Sequence, residues 1–194
     1  MKKIALILLA AGNSRRFGSN KLLYQIGGKC MYEYVLDRLT EIYKSNPTAF
    51  SVTVVTQYAE IAAKAEEVCA TAIFNEYPER GISYSVRLGI RANKDADACL
   101  FAVADQPWLR KETIEGLIHQ FLLSGKKIGG VVCNDQMGNP CIFHRDYYGE
   151  LEALEGDVGG KKILMMHQED TTWYPVEEEK ELTDLDQKPE NQSG

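Results

Sequence analysis

Strand-length apolar runs alternate with helix-length amphipathic stretches along most of this chain, and that alternation leaves few folds open. Ile4–Ala10 (IALILLA) is apolar throughout and reads as a strand buried on both faces. Met31, Tyr34, Val35, Leu39 and Ile42 then recur at helical spacing. Ser51–Thr56 is β-branched and strand-like, Ala59–Val68 is helical in composition, and Thr71–Phe74 is a short strand candidate. Ser83–Ala92 reads as a helix and Ala98–Ala104 (ACLFAVA) as a second fully apolar strand. A helix with Ile114, Leu117, Ile118, Phe121 and Leu122 on one face follows, then a strand at Ile128–Cys133. Strands with no polar face, separated by helices, imply an α/β fold whose mostly parallel sheet is covered on both sides. Beyond Cys133 the rhythm changes. Asp135–Pro140 reads as a turn cluster and Cys141–Phe143 as a return strand, antiparallel to the rest. Two short helices, Tyr147–Leu154 and Lys161–His167, flank the Gly156–Gly160 loop. Residues 1–190 read as a single domain and 191–194 as a disordered tail.

Charge and sulfur narrow the class of partner. Of 194 residues, 28 are acidic and 22 basic, a net charge of −6. That argues against a general nucleic-acid binder, whose affinity rests on many basic contacts to phosphates. It leaves room for a small anion held by local cations and backbone amides. The five cysteines, Cys30, Cys69, Cys99, Cys133 and Cys141, form no CxxC pair. His119, His144 and His167 are dispersed, so no zinc site is read from spacing. The opening apolar run is eight residues long and ends at Asn13, Arg15 and Arg16, which is too short for an export signal or a membrane span. Reduced thiols and a cytoplasmic setting are expected.

Ligands of an open parallel sheet collect at the carboxyl ends of its strands. After the first strand comes Ala10-Ala11-Gly12-Asn13-Ser14-Arg15-Arg16-Phe17-Gly18-Ser19-Asn20-Lys21. Its small residues let backbone approach a ligand, Arg15 or Arg16 can fork onto phosphate oxygens, and Lys21 offers a mobile charge. It is neither a P-loop nor a dinucleotide fingerprint. Five residues separate Gly12 from Gly18, Lys21 is followed by Leu22, and G-x-G-x-x-G is absent. By composition the loop reads equally well as a phosphate cradle or a solvated basic turn.

The apolar run Ala98–Ala104 ends on Asp105-Gln106-Pro107-Trp108. A carboxylate at such a strand end suits Mg²⁺, which takes few protein ligands, and equally suits the start of a turn. Asp184 and Asp186 lie in an alternating, strand-like stretch and are candidates to join Asp105. Gly81, Ser83 and Ser85 either contact a ligand at a helix N-terminus or cap that helix. The Gly156–Lys162 turn carries Asp157. No histidine has a partner suggesting a catalytic triad, and Trp108, Tyr147 and Tyr148 either line an acceptor pocket or pack, packing being the commoner role of aromatics at strand and helix ends.

In this order, these segments resemble the MobA-like nucleotidyltransferases, especially the molybdenum cofactor cytidylyltransferases. The stretch Leu9 to Leu23 follows the pattern L-A-A-G-x-S-x-R-F-G-x-N-K-L-L. Gly81–Ile90 follows G-[MI]-S-x-S-[LV]-x-x-G-[IL], Ala104–Pro107 is A-D-Q-P, and Gly138–Phe143 is G-x-P-x-x-F. Gly156–Lys161 follows G-D-x-G-[AG]-[RK], and Asp184-Leu185-Asp186 follows the terminal D-[IV]-D, with Gln187-Lys188-Pro189-Glu190 in place of the family's T-P-E-D.

The resemblance implies a Rossmann-like, three-layer α/β/α nucleotidyltransferase fold. It implies Mg²⁺-dependent transfer of CMP from CTP to the phosphate of molybdopterin, with release of pyrophosphate, in service of a molybdenum hydroxylase apoenzyme. Lys21, Arg15 and Asp105 are then the expected catalytic residues. Leu9, Ala10, Ala11, Gly12, Ser14, Arg15, Gly18, Lys21, Gly81, Ser83 and Ser85 are expected at the nucleotide. Asp105 with Asp186 or Asp184 is expected at the metal, and Gly138, Pro140 and Asp157 at the acceptor. Ala10-Ala11-Gly12 leans toward CTP, because the guanylyl branch usually reads Leu-Ala-Gly-Gly. Other readings remain: a nucleotidyltransferase for a sugar, polyol or choline phosphate, or a non-catalytic accessory protein for the hydroxylase. No nucleic-acid or membrane partner is expected.

Overall fold

The structure, a computed structural model, describes residues 3–12 and 20–186. The expected tail at 191–194 lies outside them. The elements run β1 (Ile4–Ala10), β2 (Gln25–Ile26), β3 (Lys29–Cys30), α1 (Met31–Ser45), β4 (Phe50–Thr56), α2 (Ala59–Glu67) and β5 (Thr71–Phe74). They continue with α3 (Ile82–Ala92), β6 (Ala98–Val103), α4 (Lys111–Ser124), β7 (Ile128–Cys133) and β8 (Gln136–His144). The last are α5 (Tyr148–Glu152), α6 (Lys161–Met166) and β9 (Thr171–Pro175).

Seven strands form one sheet in the order β5-β4-β1-β6-β8-β7-β9, and β2 and β3 make a separate hairpin. β1 pairs in parallel with both β4 and β6, and β5 with β4. β8 runs antiparallel to its neighbours β6 and β7, and β9 returns parallel to β7. The mostly parallel sheet is therefore as expected, with β8 as its one reversed strand.

β1 has no polar face because both of its faces are packed. Leu6 and Leu8 join Met31, Val35, Leu36 and Leu39 of α1 in one core cluster. Ala5 and Ile7 join Val86 and Ile90 of α3 in the other. Burying each such leucine or isoleucine is worth about 1.5–3 kcal/mol, enough to specify both layers. The opposite placing of α1 and α2 on one face and α3 on the other follows from the handedness of crossovers. α1 and α2 carry the chain outward from β1 to β5, whereas α3 carries it back past β1 to β6. Right-handed connections that travel in opposite directions must lie on opposite faces. The connections that leave the carboxyl ends of β1 and β6 therefore run toward opposite edges of the sheet, and a crevice opens beyond those ends.

Three local expectations need correction. The turn expected over Asp135–Pro140 is confined to Asn134 and Asp135, whose φ values are 49° and 61°. Two left-handed residues suffice for a tight hairpin, so β8 begins at Gln136. Gly138 pairs with Val131 and Cys141 with Gly130, so Asn139 and Pro140 fall in a bulge, where proline's missing N–H costs no ladder bond. The Asp184–Asp186 stretch is not a strand. It follows a 3-10 turn at Glu179–Leu182 as irregular chain. Helix α5 is shorter than expected, because Arg145–Tyr147 forms a 3-10 turn before it.

Candidate active site

A crevice of about 370 Å³ opens beyond the carboxyl ends of β1 and β6. Its first wall is the end of β1. Thr56 Oγ1 donates to the Ala10 carbonyl at 3.0 Å, Gln57 Nε2 to Ala11 at 2.9 Å, and Tyr58 Oη to Gly12 at 3.0 Å. Three successive carbonyls are thus tied toward the end of β4. Across a trans peptide the N–H points opposite to the C=O. The amides of Ala11 and Gly12 accordingly face away from β4, toward the crevice that both residues line.

Lys21 is delivered by a rigid turn. Asn20 Oδ1 accepts from the Leu22 amide at 3.1 Å and caps the 3-10 turn Lys21–Leu23, while Leu22 is buried in the core. From this base the Lys21 ammonium reaches Asp105 Oδ2 at 2.7 Å and Asp186 Oδ1 at 2.8 Å. Burial works against its charge, but Asp105 and then Asp186 outweigh it and hold the Lys21 pKa above the usual lysine value.

Asp105 stands just past β6, where the Ala104 amide donates to the Leu9 carbonyl at 3.1 Å. Its own carbonyl accepts from the Leu185 amide at 2.9 Å. That bond is one of several fastening residues 179–186, the C-terminal strap, to the strand end. Gln106, 1% exposed, donates through Nε2 to the Leu182 carbonyl and to Asp184 Oδ1, both at 2.9 Å. Its Oε1 is buried without a hydrogen-bond partner among the described residues. Glu181, 4% exposed, accepts from Thr113 Oγ1 at 2.6 Å and from the Arg110 amide at 3.1 Å, which caps α4. Burial, reinforced by the nearby Asp105 charge, pushes the Asp184 carboxyl above the usual carboxylate range.

The opposite wall comes from the start of α3. Gly81 has φ +80°, and a β-carbon on it would meet Asp157 Oδ1 at 2.6 Å. The Ser83 amide donates to the Gly156 carbonyl at 3.2 Å, docking the Gly156–Gly160 loop on the helix start. Ser85 Oγ accepts from the buried Asn75 Nδ2 at 3.0 Å.

Of the residues expected from sequence, Leu9, Ala11, Gly12, Lys21, Gly81, Ser85, Asp105 and Asp157 line this crevice. Ser14, Arg15 and Gly18 lie outside the described residues. Ala10 turns its methyl into the core, and Ser83 is buried and contributes a backbone contact to the loop. Gly138 and Pro140 do not line the crevice. Both are buried in β8, and a β-carbon on Gly138 would lie 2.7 Å from Leu182 Cδ1. Gly138 thereby leaves room for the Leu182 side chain. The three carboxylates do not gather, because Gln106 draws Asp184 away while Asp186 meets Lys21. Among the described residues no group of three or more His, Cys, Asp or Glu is placed to hold a metal ion. Asp105 and Asp186 nonetheless converge on one cation with hard oxygen donors, and this fits Mg²⁺, which keeps most of its coordination for water and phosphate. The roles of Gln57, Tyr58 and Gln106 were missed in sequence. Their positions just past strand ends were the available signal.

Residues 6–171 match the MobA-like NTP transferase domain family. The probable molybdenum cofactor guanylyltransferase of Pyrococcus horikoshii is 30% identical over 162 residues, which are 81% of this chain and 75% of that protein. The bifunctional protein GlmU of Methylococcus capsulatus is 28% identical over 173 residues, 89% of this chain and 34% of that protein. The chain thus spans about a third of the length of the GlmU relatives it matches. Rv0371c from Mycobacterium tuberculosis superposes with a TM-score of 0.78 at 23% identity, covering 96% of this chain and 93% of that one. A structure of Rv0371c in complex with manganese superposes with a TM-score of 0.70 at 21% identity, covering 91% and 90%. The chain belongs to the MobA-like NTP transferase domain family.

Proposed function

We propose that the protein transfers CMP from CTP to the terminal phosphate of molybdopterin, releasing pyrophosphate, in the cytoplasm and in service of a molybdenum hydroxylase. The observation that carries this reading is the Lys21 ammonium held between Asp105 and Asp186 beyond the carboxyl ends of β1 and β6. The acceptor is already a phosphate monoester, so no strong base is needed to make it a nucleophile. One acceptor oxygen bonds the α-phosphorus, the α–β anhydride bond breaks, and pyrophosphate carries the electron pair away. Catalysis is then mainly charge neutralisation and alignment of two anions.

In this reading the Ala11 and Gly12 amides cradle the triphosphate, and Lys21, with Arg15, meets charge on the α-phosphate and the departing pyrophosphate. Gly81 and Ser85 contact the nucleotide from the far wall, and Asp157 faces the acceptor. Asp105 and Asp186 would hold Mg²⁺, which when bound supplies charge neutralisation at the phosphate oxygens. The manganese complex of Rv0371c supports a divalent cation in this fold. The resemblance of Ala10-Ala11-Gly12 to the opening of the cytidylyl branch supports CTP as the donor. A second reading, GTP as donor, is favoured by the name of the Pyrococcus horikoshii relative. The five free thiols suit a reducing compartment, and among the described residues no helix is long and apolar enough to cross a membrane.

Pyrophosphate release from CTP or GTP with Mg²⁺ and molybdopterin tests the proposal directly. CTP should be preferred, and a preference for GTP would overturn the base assignment. Turnover with a sugar, polyol or choline phosphate in place of molybdopterin would overturn the acceptor. No release with any pair would favour a carrier role. Asp105→Ala should abolish Mg²⁺-dependent release, and Lys21→Ala should lower kcat by roughly 10²–10³-fold if the ammonium meets developing charge. A change confined to KM would mean uniform binding.

A further inference from the structure

Asp105 and Asp186 approach each other closely enough to share one ammonium, with Oδ2 of the first 2.7 Å and Oδ1 of the second 2.8 Å from Lys21 Nζ. Two carboxylates this near repel unless a positive charge lies between them. Lys21 supplies that charge, with its side chain 15% exposed. A divalent cation seeks the same hard oxygens, and it cannot share the space between them with an ammonium.

We infer that Lys21 is the resident counter-ion of the Asp105–Asp186 pair and gives it up when a divalent cation binds. This inference rests on the metal assignment made under the proposed function. The fold makes the exchange inexpensive. Leu22 and the Asn20 cap fix the backbone at Lys21, and a four-carbon stem on that fixed backbone can carry its ammonium from one anionic partner to another. The released ammonium remains on the crevice that Lys21 already lines, where a triphosphate offers it new anionic partners. Lys21 thereby weakens metal binding in the nucleotide-free protein and couples metal arrival to triphosphate arrival, a coupling that is reciprocal. The same side chain is a counter-ion before the cation binds and a phosphate ligand afterwards.

The test is Mn²⁺ binding to the nucleotide-free full chain, read as the loss of free-ion signal in electron paramagnetic resonance. Lys21→Met keeps the length of the stem and removes the charge, so it should tighten Mn²⁺ by about tenfold or more. Lys21→Arg keeps the charge and should stay near the wild-type affinity. Each variant is first checked for a cooperative thermal transition, with Lys21→Gln as the second neutral variant should Lys21→Met not fold. Unchanged or weaker binding in the neutral variants, or equal tightening in Lys21→Arg, overturns the exchange. Asp105→Asn separates the two levels. If it abolishes Mn²⁺ binding while the neutral lysine variants do not tighten it, the exchange fails and the metal assignment stands. If Asp105→Asn binds Mn²⁺ as the wild type does, the metal assignment fails and the exchange falls with it.

Discussion

Gly81 packs so closely on Gly156 that a β-carbon at position 81 would lie 2.4 Å from both the carbon and the oxygen of the Gly156 carbonyl. One wall of the crevice is thus a backbone-on-backbone contact between the start of α3 and the Gly156–Gly160 loop. At φ +80° and ψ −178° position 81 also lies in a region essentially reserved for glycine. Gly81→Ala should cost about 2–4 kcal/mol from backbone strain and overpacking together. Urea denaturation measures the loss, and trypsin should cut faster at Lys161 or Lys162 as the loop lifts. A variant as stable as the wild type would show that the contact yields easily.

Gln106 connects the end of β6 to the strap that carries Asp186. Gln106→Leu removes both donated bonds with little change of volume. It should leave thermal unfolding nearly cooperative while lowering kcat by roughly 10–100-fold, as loss of a group that orients a site residue commonly does. The assay is steady-state pyrophosphate release. A change in KM alone would mean that the strap does not position the reacting groups.

Glu181 is the buried anchor of the same strap. Glu181→Ala leaves the Thr113 hydroxyl and the Arg110 amide without their acceptor, at the start of α4. Loss of a helix cap with a stranded buried donor should cost about 1–3 kcal/mol in urea unfolding. Glu178→Ala, which removes only the exposed partner of Arg110, should change stability little.

The thiols should divide by burial. Burial pushes Cys99 and Cys141 up to about 12, so almost no thiolate forms at either near pH 8. Native protein should therefore react with Ellman's reagent first at exposed Cys69, and at all five thiols only after denaturation. Fast native labelling of Cys99 or Cys141 would mean that the sheet opens locally far more often than its packing suggests.

Much of the sheet was legible in the residues themselves. Ile4–Ala10 and Ile128–Cys133 are strands at the boundaries their apolar runs mark, because a strand buried on both faces leaves a continuous local signature. Asp105 was legible for the same reason, as the first charge after such a run. The two-residue strands β2 and β3 and the edge strand β9 were not, since each is too short or too mixed to show a period. Gly138 and Pro140 look like turn residues in sequence, yet a two-residue hairpin ahead of them leaves both in β8.

Local sequence set the order of strands and helices, the apolar faces, and the placing of Asp105 at a strand end, because these follow from short-range periodicity and chain punctuation. Only the tertiary structure decided that Asp186, 165 residues from Lys21, meets it while Asp184 turns to Gln106. Spacing alone could not separate two carboxylates one residue apart. Their assignment depends on how the strap docks, through Glu181 on α4, Leu182 on Gly138 and the Leu185 amide on Asp105, and those contacts join segments remote in sequence.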